Sequence, residues 1–380
     1  MLCADAERTE RRSAPPTNTP RICCHMMTPA DQMEGAILAS GWVLGPRLVK
    51  GPNDSGGNFG SAYLAERGEE RAFVKALDFR RAMSGPDWLD QVHELTSHVR
   101  WERELLEFCG QHGMSRVVRL LGYEDYIAPD HSNDPMQRVH CLIFEVGKGD
   151  LRKHFDIATA PGKAWRLRVL RDVGLALDQL HRKGIAHLDV KPSNVILVGH
   201  LTQQHEAMKL GDLGRSVRKG SPGPFDGLNW PGDPNYRPPE KWYGLQSAQW
   251  QDEREAGDAY LLGSLAVYLF TGAPMGALLM KEVPEQFRPG IYPGRFDRQL
   301  IDVLEHAQAL VMTLHVKNEL PACVRDELYR LIQELTHPDP CRRGDRRARA
   351  QGIVGIDRYH QRFLRMSERV AFEERREAKA

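Results

Sequence analysis

The seven cysteines are an odd number and contain no Cys-x-x-Cys pair. That argues against a disulfide framework or a structural zinc site and suits a reducing cytoplasm. Cys23-Cys24-His25 reads as free thiols in a flexible leader. Net charge is also nearly absent: 52 Lys and Arg against 51 Asp and Glu leave +1. No global field then draws in nucleic acid or an anionic membrane, and neither is expected as a partner. The run from Ala259 to Met280 carries no charged residue and is long enough for a bilayer. However, Gly272-Ala273-Pro274 breaks it and no basic cluster brackets it, so a buried core helix is expected. The N-terminus lacks the apolar core of a secretory signal. The glycine-rich stretch Gly51–Gly60 lacks the Gly-Lys-Ser or Gly-Lys-Thr ending of a P-loop.

What is present fits two lobes. At 380 residues with 41% hydrophobic and 27% charged residues, the chain can build two cores. Residues 1–36, rich in Pro, Thr and Arg without periodicity, read as a disordered leader, with Met26, Met27 or Met33 as alternative starts. From Trp42 to Leu77 the pattern is strand, glycine-rich turn, strand, short turn, strand. Such a turn lets backbone N–H groups approach phosphate oxygens. Val99 to Cys109 reads as a helix, and the residues between Leu77 and Val99 as an inserted one. Val117–Gly122 and His140–Val146 read as two further strands. Leu167, Leu170, Val173, Leu177 and Leu180 recur at helical spacing, and Gly184 ends that helix. Val195–Val198 and Met208–Leu210 pair as strands, and the glycine- and proline-rich stretch Arg215–Arg237 reads as a mobile loop. Ile356, Tyr359, Phe363 and Met366 make one helical stripe that docks the tail on the parent domain.

The chemistry concentrates after Gly184. Asp189, Lys191 and Asn194 share one polar loop, and Asp212 follows between Gly211 and Gly214-bearing turns. A carboxylate can orient a hydroxyl and take its proton, an ammonium can neutralise phosphate, and amide and carboxylate oxygens can hold Mg2+. Phosphoryl transfer runs mainly on such positioning and charge stabilisation.

This arrangement resembles the protein kinase family, in its Ser/Thr, bacterial-type form that lacks an arginine before the catalytic aspartate. The likeness covers residues of about 40 to 345. It implies a bilobal α+β fold: an antiparallel N-lobe over residues 37–146, a mainly helical C-lobe over 147–345, and a helical tail over 346–380. It implies ATP and Mg2+ as cofactors, a protein hydroxyl as acceptor, Asp189 and Lys191 as catalytic residues, and Asn194 and Asp212 as metal ligands. Gly57, Phe59, Gly60 and Ala62 would cover the nucleotide. Lys75, in Ala72-Phe73-Val74-Lys75, would contact its phosphates with Glu102 as partner, Glu104 being the alternative. Backbone near Glu145 and Val146 would bond the adenine edge, with Phe144 behind it. His187 and Asp258 would brace the catalytic loop, and Glu240 would pair with Arg343.

Three departures, Ser55, Leu213 and Asp233, feed the alternative of an ATP-binding scaffold, with Asp233 perturbing the Asp189–Lys191 pair by like charge. A small-molecule kinase of the aminoglycoside or choline type is the other alternative, though Pro239-Glu240 and the long 215–237 loop tell against it. Leu188 stands where many kinases carry an arginine that grips a loop phosphate, so activity independent of loop phosphorylation is expected. A further insertion is expected at 281–293.

Overall fold

The computed structural model describes residues 27–48, 60–80, 82–84, 87–131, 134–155, 161–199 and 206–379. Ser55, Gly57 and Phe59 of the glycine-rich stretch, and Cys23-Cys24-His25, lie outside them.

The small lobe is an antiparallel sheet in the order β1-β2-β3-β5-β4: β1 (Val43–Arg47), β2 (Gly60–Arg67), β3 (Glu70–Leu77), β4 (Leu120–Tyr126) and β5 (Val139–Glu145). Gly68, at φ +61°, turns β2 into β3. Alternation along β3 sends Ala72, Val74 and Ala76 to one face and Phe73, Lys75 and Leu77 to the other. The second face receives α1 (Trp88–Gln111), which buries Trp101, Glu102, Leu105, Leu106 and Cys109.

The first face is covered by the chain that precedes the sheet, which corrects the expected leader over residues 27–36, while residues 1–26 of it lie outside the described residues. Thr28 caps a short 3-10 turn at Pro29–Asp31, and Ala30, Met33, Leu38 and Trp42 are buried against Tyr63, Val74 and Ile143. Each large side chain so buried contributes roughly 1.5–3 kcal/mol, which offsets the entropy of ordering the segment. The Tyr63 hydroxyl fastens it, donating to Ala30 O at 2.7 Å and accepting from Met33 N at 3.3 Å. Two other expectations shift. The residues from Trp88 onward are the first turns of α1 itself rather than an inserted helix. The fourth strand starts at Leu120, because Val117 and Val118 bridge instead to Leu210.

The large lobe is built around α3 (Lys163–His181) and α5 (Ala256–Thr271). Between and around them lie α2 (Leu151–His154), α4 (Pro239–Trp242), α6 (Met275–Glu282), α7 (Arg298–Val311), α8 (Arg325–Leu335), α9 (Arg346–Arg349) and α10 (Ile356–Glu377). Two small ladders complete it: β6 (Ile185–Ala186) with β9 (Val217–Arg218), and β7 (Val195–Gly199) with β8 (Glu206–Leu210). α3 buries Leu167, Leu170, Val173, Leu177 and Leu180, and Gly184 leaves it at φ +67°. α5 is buried nearly along its whole length, and Gly272 ends it at φ +80°. Among the described residues no single helix is long and apolar enough to cross a membrane, and the 251–271 and 275–282 pair bends by 84°. α10 lies along α3 with Tyr359, Phe363, Met366 and Val370 buried, and Glu374 accepts a bond from Ala164 N at 3.2 Å. The expected 281–293 insertion begins as the end of α6, and its Phe287 carbonyl accepts from Tyr243 OH at 2.7 Å.

Candidate active site

The loop after β6 is held from beneath. Asp258, near the start of α5 and fully buried, accepts from His187 N at 2.8 Å, Leu188 N at 2.7 Å and the His181 ring at 2.9 Å. These bonds hold Leu188 at φ +61°, a left-handed conformation unusual for a leucine. Burial opposes the His181 charge, but the bond to Asp258 outweighs it and raises the imidazole pKa. His187 Nδ1 accepts from Asp189 N at 3.2 Å, so its proton sits on Nε2, which donates to Gly211 O at 3.1 Å. Gly211 N in turn donates to Asn194 O at 2.8 Å, fixing the stretch that carries Asp212 against the loop that carries Asp189.

Asp189 is nearly surrounded. Its carboxylate accepts from Asn194 Nδ2 at 3.0 Å and from Asp233 N at 2.8 Å, and it lies 3.1 Å from Lys191 Nζ. Burial raises its pKa above the ordinary carboxylate value despite Lys191 and the Asp233 N–H. Asp233 does not act on this pair by simple like-charge repulsion: its carboxylate lies 3.3 Å from Lys191, which it shares with Asp189. Burial opposes the Lys191 charge, yet the two carboxylates raise its pKa. The backbone of Asp233 approaches so closely because residue 232 is glycine. A Cβ there would lie 2.0 Å from Leu188 O.

From the small lobe, Lys75 Nζ reaches Glu102 at 2.8 and 3.1 Å, so Glu102 and not Glu104 is its partner. Burial disfavours the Lys75 charge, but Glu102 and Asp212 outweigh it and raise its pKa. Gly214 lies between those carboxylates: a Cβ on it would be 3.1 Å from Asp212 Oδ1 and 3.6 Å from Glu102 Oε2. For Asp212, burial is overridden by the Lys75 and Lys191 ammonium groups, which lower its pKa. Asp189, Lys191, Asn194, Asp212, Lys75 and Glu102 are therefore brought together in one cluster.

The donor set suits a hard cation. Among the described residues Asp212 takes only a 3.4 Å bond from Gly214 N, and Asn194 Oδ1 only a 3.4 Å bond from Ser193, so both keep oxygen lone pairs to spend. Among the described residues no cluster of three or more His, Cys, Asp or Glu forms a metal cage. Mg2+ is commonly held by one or two protein groups plus phosphate oxygens.

The described part of the glycine-rich region adds Gly60 and Ala62 on β2, with Ala62 paired to Lys75. Glu145 N donates to Arg119 O at 3.0 Å, and its carboxylate takes Lys209 at 2.6 and 2.9 Å, so neither its N–H nor its side chain is available to a base. Val146 follows it directly. Two residues were overlooked. Phe73 shares the face of Lys75, with its ring 6.4 Å from Phe144, and counting back two positions from Lys75 would have found it. Ile196 of β7 approaches the hinge from the other side, 2.3 Å from where a Gly147 Cβ would be, and no local signal pointed to it.

The 215–237 stretch, expected to be mobile, is tied down. Trp101 Nε1 donates to Ser216 O at 2.8 Å, Arg254 donates to Asp226 O at 2.8 Å, and Phe225 is buried under Arg215 and beside His98. It ends at Glu240, whose carboxylate takes both Arg343 guanidinium nitrogens at 2.8 and 2.7 Å in full burial.

Comparison with known proteins agrees with this geometry. A family model described as protein kinase domain matches residues 56–348, well over half of the chain. An Aurora kinase of Debaryomyces hansenii is 28% identical over 218 residues, 57% of this chain and 46% of the relative. Aurora/IPL1-related protein kinase 2 of Caenorhabditis briggsae is 25% identical over 343 residues, 89% of this chain and 98% of the relative. Serine/threonine-protein kinase PknD of Mycobacterium tuberculosis is 28% identical over 142 residues, 34% of this chain and 20% of the relative. The matched region spans about half the length of the two Aurora kinases from yeasts.

Proposed function

This chain belongs to the protein kinase family, and from that premise we propose that it transfers the γ-phosphoryl group of ATP to a serine or threonine hydroxyl of a protein. One observation carries the reading. Asp189 is held by Lys191, Asn194 and the Asp233 backbone in the same cluster as Asp212 and the Lys75–Glu102 pair. Asp189 orients the acceptor hydroxyl and takes its proton. Lys191 spreads its charge over the transferring group, and Lys75, held by Glu102, fixes the phosphates behind it. Mg2+, when bound, supplies charge neutralisation between the phosphates, and Asn194 and Asp212 are the residues that would hold it. Phe73, Phe144 and Ile196 flank the place for the base. Cys109 and Cys141 are buried and unpaired, which supports a reducing, cytoplasmic setting.

The test is label transfer from γ-labelled Mg-ATP to a generic protein substrate, followed by identification of the phosphorylated residue. Transfer to serine or threonine that Asp189→Ala removes supports the proposal. Absence of transfer by the intact protein, or equal transfer by the variant, counts against it.

A further inference from the structure

We propose that Asp31, which precedes the sheet, is a positioning residue for the nucleotide, because it ties together the two strand ends from which the glycine-rich stretch departs. The inference rests on the kinase reading above and adds a part that the site itself does not contain.

The ladder between those two strands is irregular. β1 pairs with β2 through Leu44↔Ala65 and then Arg47↔Tyr63, so β1 holds one more residue than β2 over the same span. Such a bulge interrupts ladder bonding and bends the strand. Pro46 falls inside it and has no N–H to donate. Past the bulge the ladder resumes, with Leu48 N donating to Ala62 O at 2.8 Å just before residues 49–59, the stretch whose glycines are read as the phosphate cover.

Asp31 adds a side-chain tie across that irregular stretch. Its Oδ1 accepts from Arg47 Nη1 at 2.6 Å, at the end of β1, and from Ser61 Oγ at 2.5 Å, at the start of β2. Its Oδ2 accepts from Thr28 N at 3.0 Å and Thr28 Oγ1 at 3.2 Å, which closes the 3-10 turn on which it sits. That turn is pinned in its own right, since Ala30 N donates to Asp78 Oδ2 at 3.0 Å and Ala30 O accepts from Tyr63 OH at 2.7 Å. Asp31 is thus a fixed carboxylate bridging two strands, and its bonds are of the charge-assisted kind. Burial disfavours its charge, but bonds from Ser61, Thr28 and Arg47 override this and hold its pKa at about 2, so it stays ionised under assay conditions.

The experiment compares the full chain with Asp31→Ala, Asp31→Glu and Met33→Ala. Met33 is buried in the same covering segment but is not part of the bridge, so its variant reports loosening of the cover alone. Dissociation of a fluorescent ATP analogue (mant-ATP with Mg2+) is measured alongside KM for ATP, KM for the protein substrate and kcat, well below each variant's Tm. The expected result for Asp31→Ala is about tenfold weaker mant-ATP binding and a matching rise in KM for ATP. kcat and the protein KM should stay within twofold, Asp31→Glu should recover part of the loss, and Met33→Ala should lower Tm without changing nucleotide affinity. Unchanged affinity in Asp31→Ala overturns the proposal, as does an equal loss in Met33→Ala. If the wild type binds mant-ATP but transfers no phosphate, the kinase reading fails while the binding comparison still decides on Asp31. If it binds no nucleotide, both fall.

Discussion

The two lobes anchor their loops with the same kind of group in opposite settings. Beneath the catalytic loop, Asp258 is fully buried, takes two backbone N–H groups and the His181 ring, and sits on a helix enclosed by the larger core. In the small lobe, Asp31 bridges side chains from two strands at the edge of a thin sheet and takes Thr28 N of its own turn, on a segment with a small core of its own. A buried carboxylate bonded to backbone locks a loop shape and tolerates little change. A carboxylate bonded to side chains at an edge sets a spacing and gives way gradually. The large lobe is accordingly the part where single substitutions should act as switches, and the small lobe the part where they should act as adjustments.

The largest effect that sharpens this contrast is on turnover. Asp189→Ala should lower kcat by about 10²–10⁴ with little change in KM for ATP, read by steady-state label transfer. A loss below tenfold would remove the large lobe's claim to hold the decisive group. Next, Asp258→Ala leaves two backbone N–H groups and a buried imidazole without their partner, and should cost about 3–5 kcal/mol in urea unfolding. If the cost is below 1 kcal/mol, the contrast between the anchors breaks. Gly232→Ala places a methyl 2.0 Å from Leu188 O and must push the two loops apart. A tenfold or greater loss of kcat is expected, with the protein still folded by circular dichroism.

Acid should separate the lobes. Burial, with Arg342 and Arg343 nearby, lowers the His337 pKa from 6.5 to about 4 in the folded large lobe. The unfolded chain binds that proton first, so this stability is whole above about pH 6.5 and is lost as pH falls towards 4, on the order of 2–3 kcal/mol. Asp31 works in the other window. With a folded pKa of about 2 against 3.8, its contribution is whole above about pH 4 and fades only as pH falls towards 2. Hydrogen exchange at pH 5 should therefore quicken around His337 before it does in residues 28–38. The reverse order would contradict the assignment. The smallest effect expected is for Ser216→Ala with Ser221→Ala. Ser216 is wholly buried with its hydroxyl on His187 O at 3.4 Å, and Leu188 offers no charge for a loop phosphate, so kcat should stay within twofold. Loss of turnover in that double variant would show that the loop is switched after all.

The contrast also explains which parts could be read in advance. That Asp189, Lys191, Asn194, Asp212, Lys75 and Glu102 come together was legible because the chemistry expected of them needs particular residue types at particular separations. The Glu240–Arg343 pair was legible for the same reason. The covering segment was not. Ala30, Met33, Leu38 and Trp42 follow neither helical nor strand spacing, and only the outer face of β3 shows what they meet. Residues 88–98 were legible as helical, since Leu89, Val92 and Leu95 recur at helical spacing, but not as the first turns of α1, because nothing in the sequence shows that they run unbroken into the packed turns around Leu105. In the 215–237 stretch, order comes from Trp101 and Arg254, far away in sequence, so local composition suggested mobility where distant side chains supply the restraint.

The union of α10 with α3 has a consequence for the chain as it is made. α3 leaves the ribosome long before Ile356 has been added, and until then the groove that will receive Tyr359, Phe363 and Met366 faces the solvent of a crowded cell. A product stopped short of that helix carries a bare apolar furrow along its principal helix. Chaperones and proteases read that as unfinished work, so a truncated copy should be cleared rather than persist as a half-built competitor for nucleotide.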